Sequence, residues 1–130
     1  MKIEDIYKIA LSMLSESTSA SGNEDYQERT PYIVASCCTQ LKGTDASLRR
    51  MKGKTAAQTF SSAYISMSDN FPLLDELAPA TAMYLAAMLV VDYDPELYDK
   101  LFSQFCDNVS MISSNVSGMS ESIVNKYFAD

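Results

Sequence analysis

Histidine and tryptophan are missing from the 130 residues. The missing histidine removes Ser–His–Asp triads, Cys–His dyads and imidazole metal sites together. Cysteine is scarce: Cys37, Cys38 and Cys106 make an odd count with an adjacent pair, and no Cys-x-x-Cys occurs. That excludes a disulfide framework and reads as three small hydrophobes in a reducing compartment. Long apolar runs are missing too. The longest, Leu77–Val91, contains Pro79 and Thr81 and falls short of the ~18 residues that mark a membrane helix. Glu4 and Asp5 stand where an export signal would be apolar, so neither secretion nor membrane insertion is expected. No glycine-rich phosphate loop occurs.

Positive charge is in short supply, with 10 basic against 17 acidic residues and a net charge of −7. That balance favours solubility and argues against nucleic-acid binding over the whole surface. The deficit is uneven. Lys42, Arg49, Arg50, Lys52 and Lys54 stand against Asp45 alone, so residues 42–57 carry +4 while both flanks are acidic.

Apolar residues make up 47% of the chain, a globular composition suited to one domain over 1–130. Ile3, Ile6, Ala10, Met13 and Leu14 recur at helical spacing, with Glu4 and Asp5 in the first turn, where the helix dipole favours them. Ser15–Gly22 reads as a loop. A second helix is expected from about Ser21 to Leu41, opened by Ser21 and Glu24 as a capping box with Asn23 as a rival cap, and kinked or restarted at Pro31. Residues 42–60 read as irregular, with a helical turn near Ala46–Met51. The alternation Tyr64-Ile65-Ser66-Met67-Ser68 leaves room for one short strand or hairpin near 58–68.

Pro79 then suits the first turn of an apolar helix reaching about Val91, and a helix apolar on most faces belongs at the centre of a bundle or in an interface. Asp94 is a good N-cap and Pro95 a good first residue for an amphipathic helix built on Leu97, Leu101, Phe105, Val109 and Ile112. Ser113–Ser120 reads as a loop and 112–130 as a tail, with a last helical turn or an extended stretch over 121–128. The expected fold class is all-α, a bundle of about four main helices.

No catalytic, cofactor or metal residue is assigned. Asp92-x-Asp94-x-Glu96 opens like a calcium loop, but it lacks the central glycine and has Ser103 at the twelfth place. The helix cap accounts for the same residues. Cys37 and Cys106 fall on faces expected to be buried, without a histidine to activate them. The basic stretch Lys42, Arg49, Arg50, Lys52 and Lys54 is the candidate contact, with three readings: a solvated loop, a loop docked on an acidic protein, or a loop facing phosphates. No aromatic interleaves with these cations, so base stacking is not expected.

Residues 64–109 carry a family resemblance. Tyr64-Ile65-Ser66-Met67 leads to Phe71-Pro72-Leu73-Leu74-Asp75-Glu76-Leu77, then to the apolar stretch from Ala80 to Leu97 and the aromatic helix from Tyr98 to Val109, where Phe102 and Phe105 form an aromatic pair. This order resembles small head–tail connector, or neck adaptor, proteins of tailed phages and prophages. Pro31, the basic stretch and the chain beyond Ile112 depart from the pattern. The resemblance implies a non-enzymatic structural protein of the virion, with no cofactor. Its partners would be the portal protein and neighbouring copies in a ring, with phosphate-backbone contact to packaged DNA open to the basic stretch. It implies the host bacterial cytoplasm during assembly and the virion neck afterwards. In that setting Ile123, Val124, Tyr127 and Phe128 would form an inter-subunit tail. The rival readings are a small helical interaction or regulatory protein of bacteria and a small-molecule-binding helical domain.

Overall fold

A computed structural model describes residues 1–14 and 24–128, with side chains described up to Val116. Four helices occur among the described residues: α1 (Ile3–Met13), α2 (Glu24–Met51), α3 (Ala78–Val90) and α4 (Pro95–Phe128). No strand occurs among them. The hairpin expected near 58–68 is not formed, and the one β-type pairing is an isolated bridge between Lys2 and Asn70. Residues 54–60 have no backbone partner strand. Ile65 N–H is instead donated to the Pro31 carbonyl of α2 at 3.2 Å.

α1 buries Ile3, Ile6, Tyr7, Ala10 and Leu11 on one face. The first N–H groups of a helix lack partners within it. Here Ile3 N–H bonds the Asp69 carbonyl and Glu4 N–H the Met67 carbonyl, both at 3.0 Å. Asp5 accepts from Lys2 N–H at 3.0 Å. The start of the chain is therefore tied to the loop before α3.

α2 is longer than its sequence suggests. It runs through Pro31 and through Gly43, two residues that disfavour helix interiors. Pro31 is buried, and the preceding Thr30 hydroxyl bonds the Tyr26 carbonyl at 2.6 Å. The expected restart at Pro31 and the irregular stretch from 42 are both replaced by helix. The cause is tertiary: α2 buries Val34, Ala35, Cys37, Cys38, Leu41, Asp45 and Leu48 along its length, and such packing outweighs propensity. The helix stops at Gly53, with φ +67°. Lys54 N–H bonds the Arg49 carbonyl at 2.8 Å and Gly53 N–H the Arg50 carbonyl at 3.2 Å. These two bonds make a Schellman motif, which needs a left-handed residue. The expected caps Ser21 and Asn23 lie outside the described residues.

α3 is the central helix. It touches α1, α2 and α4 and buries ten of its 13 residues. Alanines at 78, 80, 82, 86 and 87 let three neighbours approach at once. A 3-10 turn, Asp75–Leu77, leads into it, and Pro79 sits in its first turn as expected.

α4 begins as expected, with Asp94 Oδ1 accepting the Leu97 N–H at 3.2 Å and Pro95 as the first residue. Leu101 and Phe105 are buried, and Phe105 meets the Tyr84 ring at 5.2 Å. The loop expected at Ser113–Ser120 is corrected: the helix continues through it to Phe128. Val109, Ile112 and Val116 keep the core-facing spacing past the serines and pack on the core.

Candidate functional site

The basic residues gather at the C-terminal end of α2, on helix and turn rather than on one loop. Lys42, Arg49 and Arg50 belong to α2, while Lys52 and Lys54 flank the Gly53 turn. After that turn the chain runs back along the helix. Thr55 lies at Arg49, Phe60 at Lys42 and Tyr64 at Tyr32. It then returns, so that Pro72 lies at Arg49 and Leu74 at Asp45.

Asp45 organises this end. It is 1% exposed. One carboxylate oxygen accepts Arg49 Nε–H at 2.8 Å and the other accepts Leu74 N–H at 2.8 Å. Arg49 also donates to the Thr55 carbonyl at 3.1 Å and the Pro72 carbonyl at 3.4 Å. A buried carboxylate is costly unless paired and hydrogen-bonded, and here it has both. Asp45 and Arg49 thus fasten α2 to the outgoing and returning chain and to the entry of α3.

Two of the five candidate cations are therefore committed. Arg49 serves Asp45, and Lys52 pairs with Glu76 at 2.8 Å. The Lys52 hydrogen bond holds the Glu76 carboxyl below its ordinary range, with the nearby Lys52 and Lys54 charges adding to the shift. Lys42, Arg50 and Lys54 form no ion pair within 4.0 Å among the described residues, although the Lys54 charge reaches Glu76. Lys42 sits 6.0 Å from the Phe60 ring centre, and Arg50 donates to the Ser47 hydroxyl at 3.3 Å.

Lys42, Arg50 and Lys54 line a groove of about 320 Å3 between α2 and residues 54–60. Ala46, Ala56, Ala57 and Phe60 form its apolar walls. Cationic edges around an apolar lining suit an acidic partner that also brings a hydrophobic side chain. Phe60 and Asp45 were not singled out as site residues in the sequence. The signal for Asp45 was its i,i+4 spacing to Arg49, which counts only if the helix continues past Gly43. Phe60 reaches the cations only because the chain folds back.

The opposite end of α2 is acidic. Glu24, Asp25 and Glu28 are exposed there. Arg29 bonds the Met88 carbonyl at 3.0 Å, so this end meets the end of α3. The connecting turn Asp92-Tyr93-Asp94 lies at the same place, since Tyr93 stacks on Tyr26 at 6.5 Å with the rings 5° from parallel. Tyr93 remains 58% exposed.

The cysteines divide. Cys37 and Cys38 are buried, and burial pushes the Cys37 thiol up to about 12 despite a Thr81 hydrogen bond that lowers it. Burial also raises Cys38, with Cys37 and Asp45 adding to the effect. Neither offers a thiolate at neutral pH. Cys106, expected to be buried, is exposed: the stripe through Leu101 and Phe105 turns it outward. The proposed tail residues Ile123, Val124, Tyr127 and Phe128 fall in the helical backbone of α4, and their side chains lie outside the described residues. Among the described residues no group of three or more His, Cys, Asp or Glu is placed to hold a metal ion. No helix there is long and apolar enough to cross a membrane.

No protein-family model matches this chain, no curated protein matches its sequence, and no solved structure matches its fold.

Proposed function

We propose that this chain is a non-enzymatic assembly protein, and specifically a head–tail neck adaptor that docks on a portal ring beside copies of itself. The observation that carries the reading is the length of α4. It has 34 residues against the 13 of α3, the helix it packs on most extensively. At 1.5 Å per residue it is about 51 Å long against about 20 Å. Residues 117–128 extend it about 18 Å past Val116. In the sequence, Met119, Ile123 and Tyr127 keep the spacing of Phe105, Val109, Ile112 and Val116. A helix whose backbone runs on so far, with apolar residues at the same spacing in its sequence, is suited to lie in a groove of another protein. The adaptor form of the reading comes from the resemblance over residues 64–109.

The basic end supports protein contact over DNA contact. Its uncommitted cations converge on an apolar-walled groove, whereas a backbone-tracking surface spreads cations along a path.

The test has two parts. The genes flanking this one are read for a portal or major capsid protein, and the neighbouring portal protein is co-expressed with the chain. The full chain should co-purify with the portal, and a chain ending at Val116 should not. Flanking genes of ordinary metabolism, or portal binding that survives the truncation, would overturn the reading.

A further inference from the structure

We infer that the acidic turn Asp92–Glu96 of one copy seats in the basic groove of the next, so that copies of this chain associate head to tail. The inference deepens the adaptor reading by naming the contact between neighbouring copies, and it uses surfaces that the α4 arm does not supply.

Three observations carry it. The two surfaces are opposite in charge. The groove presents Lys42, Arg50 and Lys54, none of them in an ion pair within 4.0 Å among the described residues. The turn presents the exposed Asp92 and Glu96, with exposed Glu24, Asp25 and Glu28 alongside and Arg29 and Lys100 as the nearby bases. Asp94 is spent on capping α4.

The surfaces also match in kind. An exposed aromatic, Tyr93, marks the turn, and the groove has an apolar lining of Ala46, Ala56, Ala57 and Phe60. A tyrosine entering an apolar pocket ringed by charge is the common form of an interface anchor. The turn is held in shape, because Tyr93 N–H and Asp94 N–H both bond the Val90 carbonyl, at 3.2 and 2.9 Å.

The third observation is their placement. The turn stands at Tyr26 and the groove at Arg50, roughly 36 Å apart along α2 at the rise of an α-helix. Two complementary patches at opposite ends cannot satisfy each other within one copy. Between copies they give a heterologous contact, the kind that closes into a ring or continues as a filament. An unrelated acidic partner would satisfy the groove alone. A second copy satisfies both ends.

Sedimentation velocity tests this on the full chain. The mean mass should rise with concentration in about 20 mM salt and fall back in about 0.5 M salt, where exposed charges are screened. Two variants separate the ends. Lys42→Ser/Arg50→Ser/Lys54→Ser removes the groove cations, and Asp92→Ser/Tyr93→Ala/Glu96→Ser removes the turn. Each alone should weaken self-association roughly 30-fold, the scale of losing an interface anchor. Mixed, they should form a 1:1 complex that grows no further, because each keeps the end the other lacks. Unchanged melting curves would show that both fold. The inference is overturned if the wild-type chain stays monomeric near 1 mM at low salt, if its association ignores salt, or if the mixed variants fail to pair. A chain ending at Val116 should still self-associate. Loss of self-association only in that truncation would place the contact on α4 and overturn the inference, while leaving the arm reading intact.

Discussion

At the start of α2, Glu24, Asp25 and Glu28 stand in water, and the nearby Arg29 spends its guanidinium on the Met88 carbonyl and a 3.5 Å contact with Asp25. At its end, one buried carboxylate, Asp45, fixes Arg49 and the Leu74 amide, and the remaining cations are left facing a groove. One helix thus carries two charge clusters built differently. The acidic one is a solvated surface whose charges cost little to place. The basic one is anchored on a buried ion pair, so its geometry is set by the fold. A surface already held in one geometry has less ordering left to lose on binding, and the buried Asp45–Arg49 pair holds the basic end in that way.

The largest way to break this contrast is Asp45→Ala. It strands Arg49, whose side chain is 15% exposed, and leaves Leu74 N–H without an acceptor. The expected loss is about 3–5 kcal/mol in urea unfolding. A loss under about 1 kcal/mol would show that Asp45 does not fasten the two segments.

Between the two ends lie the buried thiols. Cys37 and Cys38 hold their protons well above the ordinary value of 9.0. Above pH 9 the unfolded chain sheds those protons while the fold keeps them. Stability present below pH 9 is therefore lost as pH rises, by about 1.4 kcal/mol per pH unit for each thiol. Urea unfolding of the wild-type chain and of Cys37→Ala across pH 8–11 checks this. The variant should show the shallower fall, and parallel slopes would contradict the burial argument.

At the acidic end, Arg29→Ala should cost about 1–2 kcal/mol, because the Met88 carbonyl loses a charged donor near the end of α3. Glu24→Gln and Glu28→Gln should stay within about 0.5 kcal/mol, as exposed residues that form no ion pair among the described residues. Thermal melts of the three variants sharpen the difference between a committed guanidinium and solvated acids.

Gly43 lies inside α2 on the approach to the basic end, and a Cβ added there meets nothing within 4 Å. Gly43→Ala should stabilise by about 0.5–1 kcal/mol by lowering the entropy of the unfolded chain. A destabilised variant would mean that α2 needs the glycine for close approach to α4.

The smallest effect belongs to Lys52 and Glu76, both well exposed, whose pairing should contribute under about 1 kcal/mol. Glu76 titrates below its ordinary 4.5. Its contribution is present above that value and is lost as pH falls through the lower folded-state value. Glu76→Gln should remove that part of the acid sensitivity and leave stability at pH 7 within the same small range.

Elements whose cause is local were legible in the sequence. The spacing of Ile3, Ile6 and Ala10, the Asp94–Pro95 cap and Pro79 at its helix start all act within a few residues, and each is found where expected. The all-α class and the central place of the apolar helix follow from the same patterns. Where α2 was expected to end near Leu41 and α4 to give way to a loop at 113–120, propensity and packing disagreed. Glycine and serine weaken a helix by a fraction of a kcal/mol to about 1 kcal/mol each, less than the stabilisation from burying Leu48 in the core and packing Val116 against it.

The candidate cations were visible as a cluster in the sequence, but which were free was not. That depends on Asp45 meeting Leu74, on Lys52 meeting Glu76, and on residues 54–60 folding back to bring Phe60 beside Lys42. The sequence by itself determined the helical class, the caps and the uneven charge, because each is a property of neighbours along the chain. The tertiary structure alone decided the unbroken length of α2 and α4, the groove and the opposition of the two charged ends. Each of those depends on residues far apart in sequence sharing one surface.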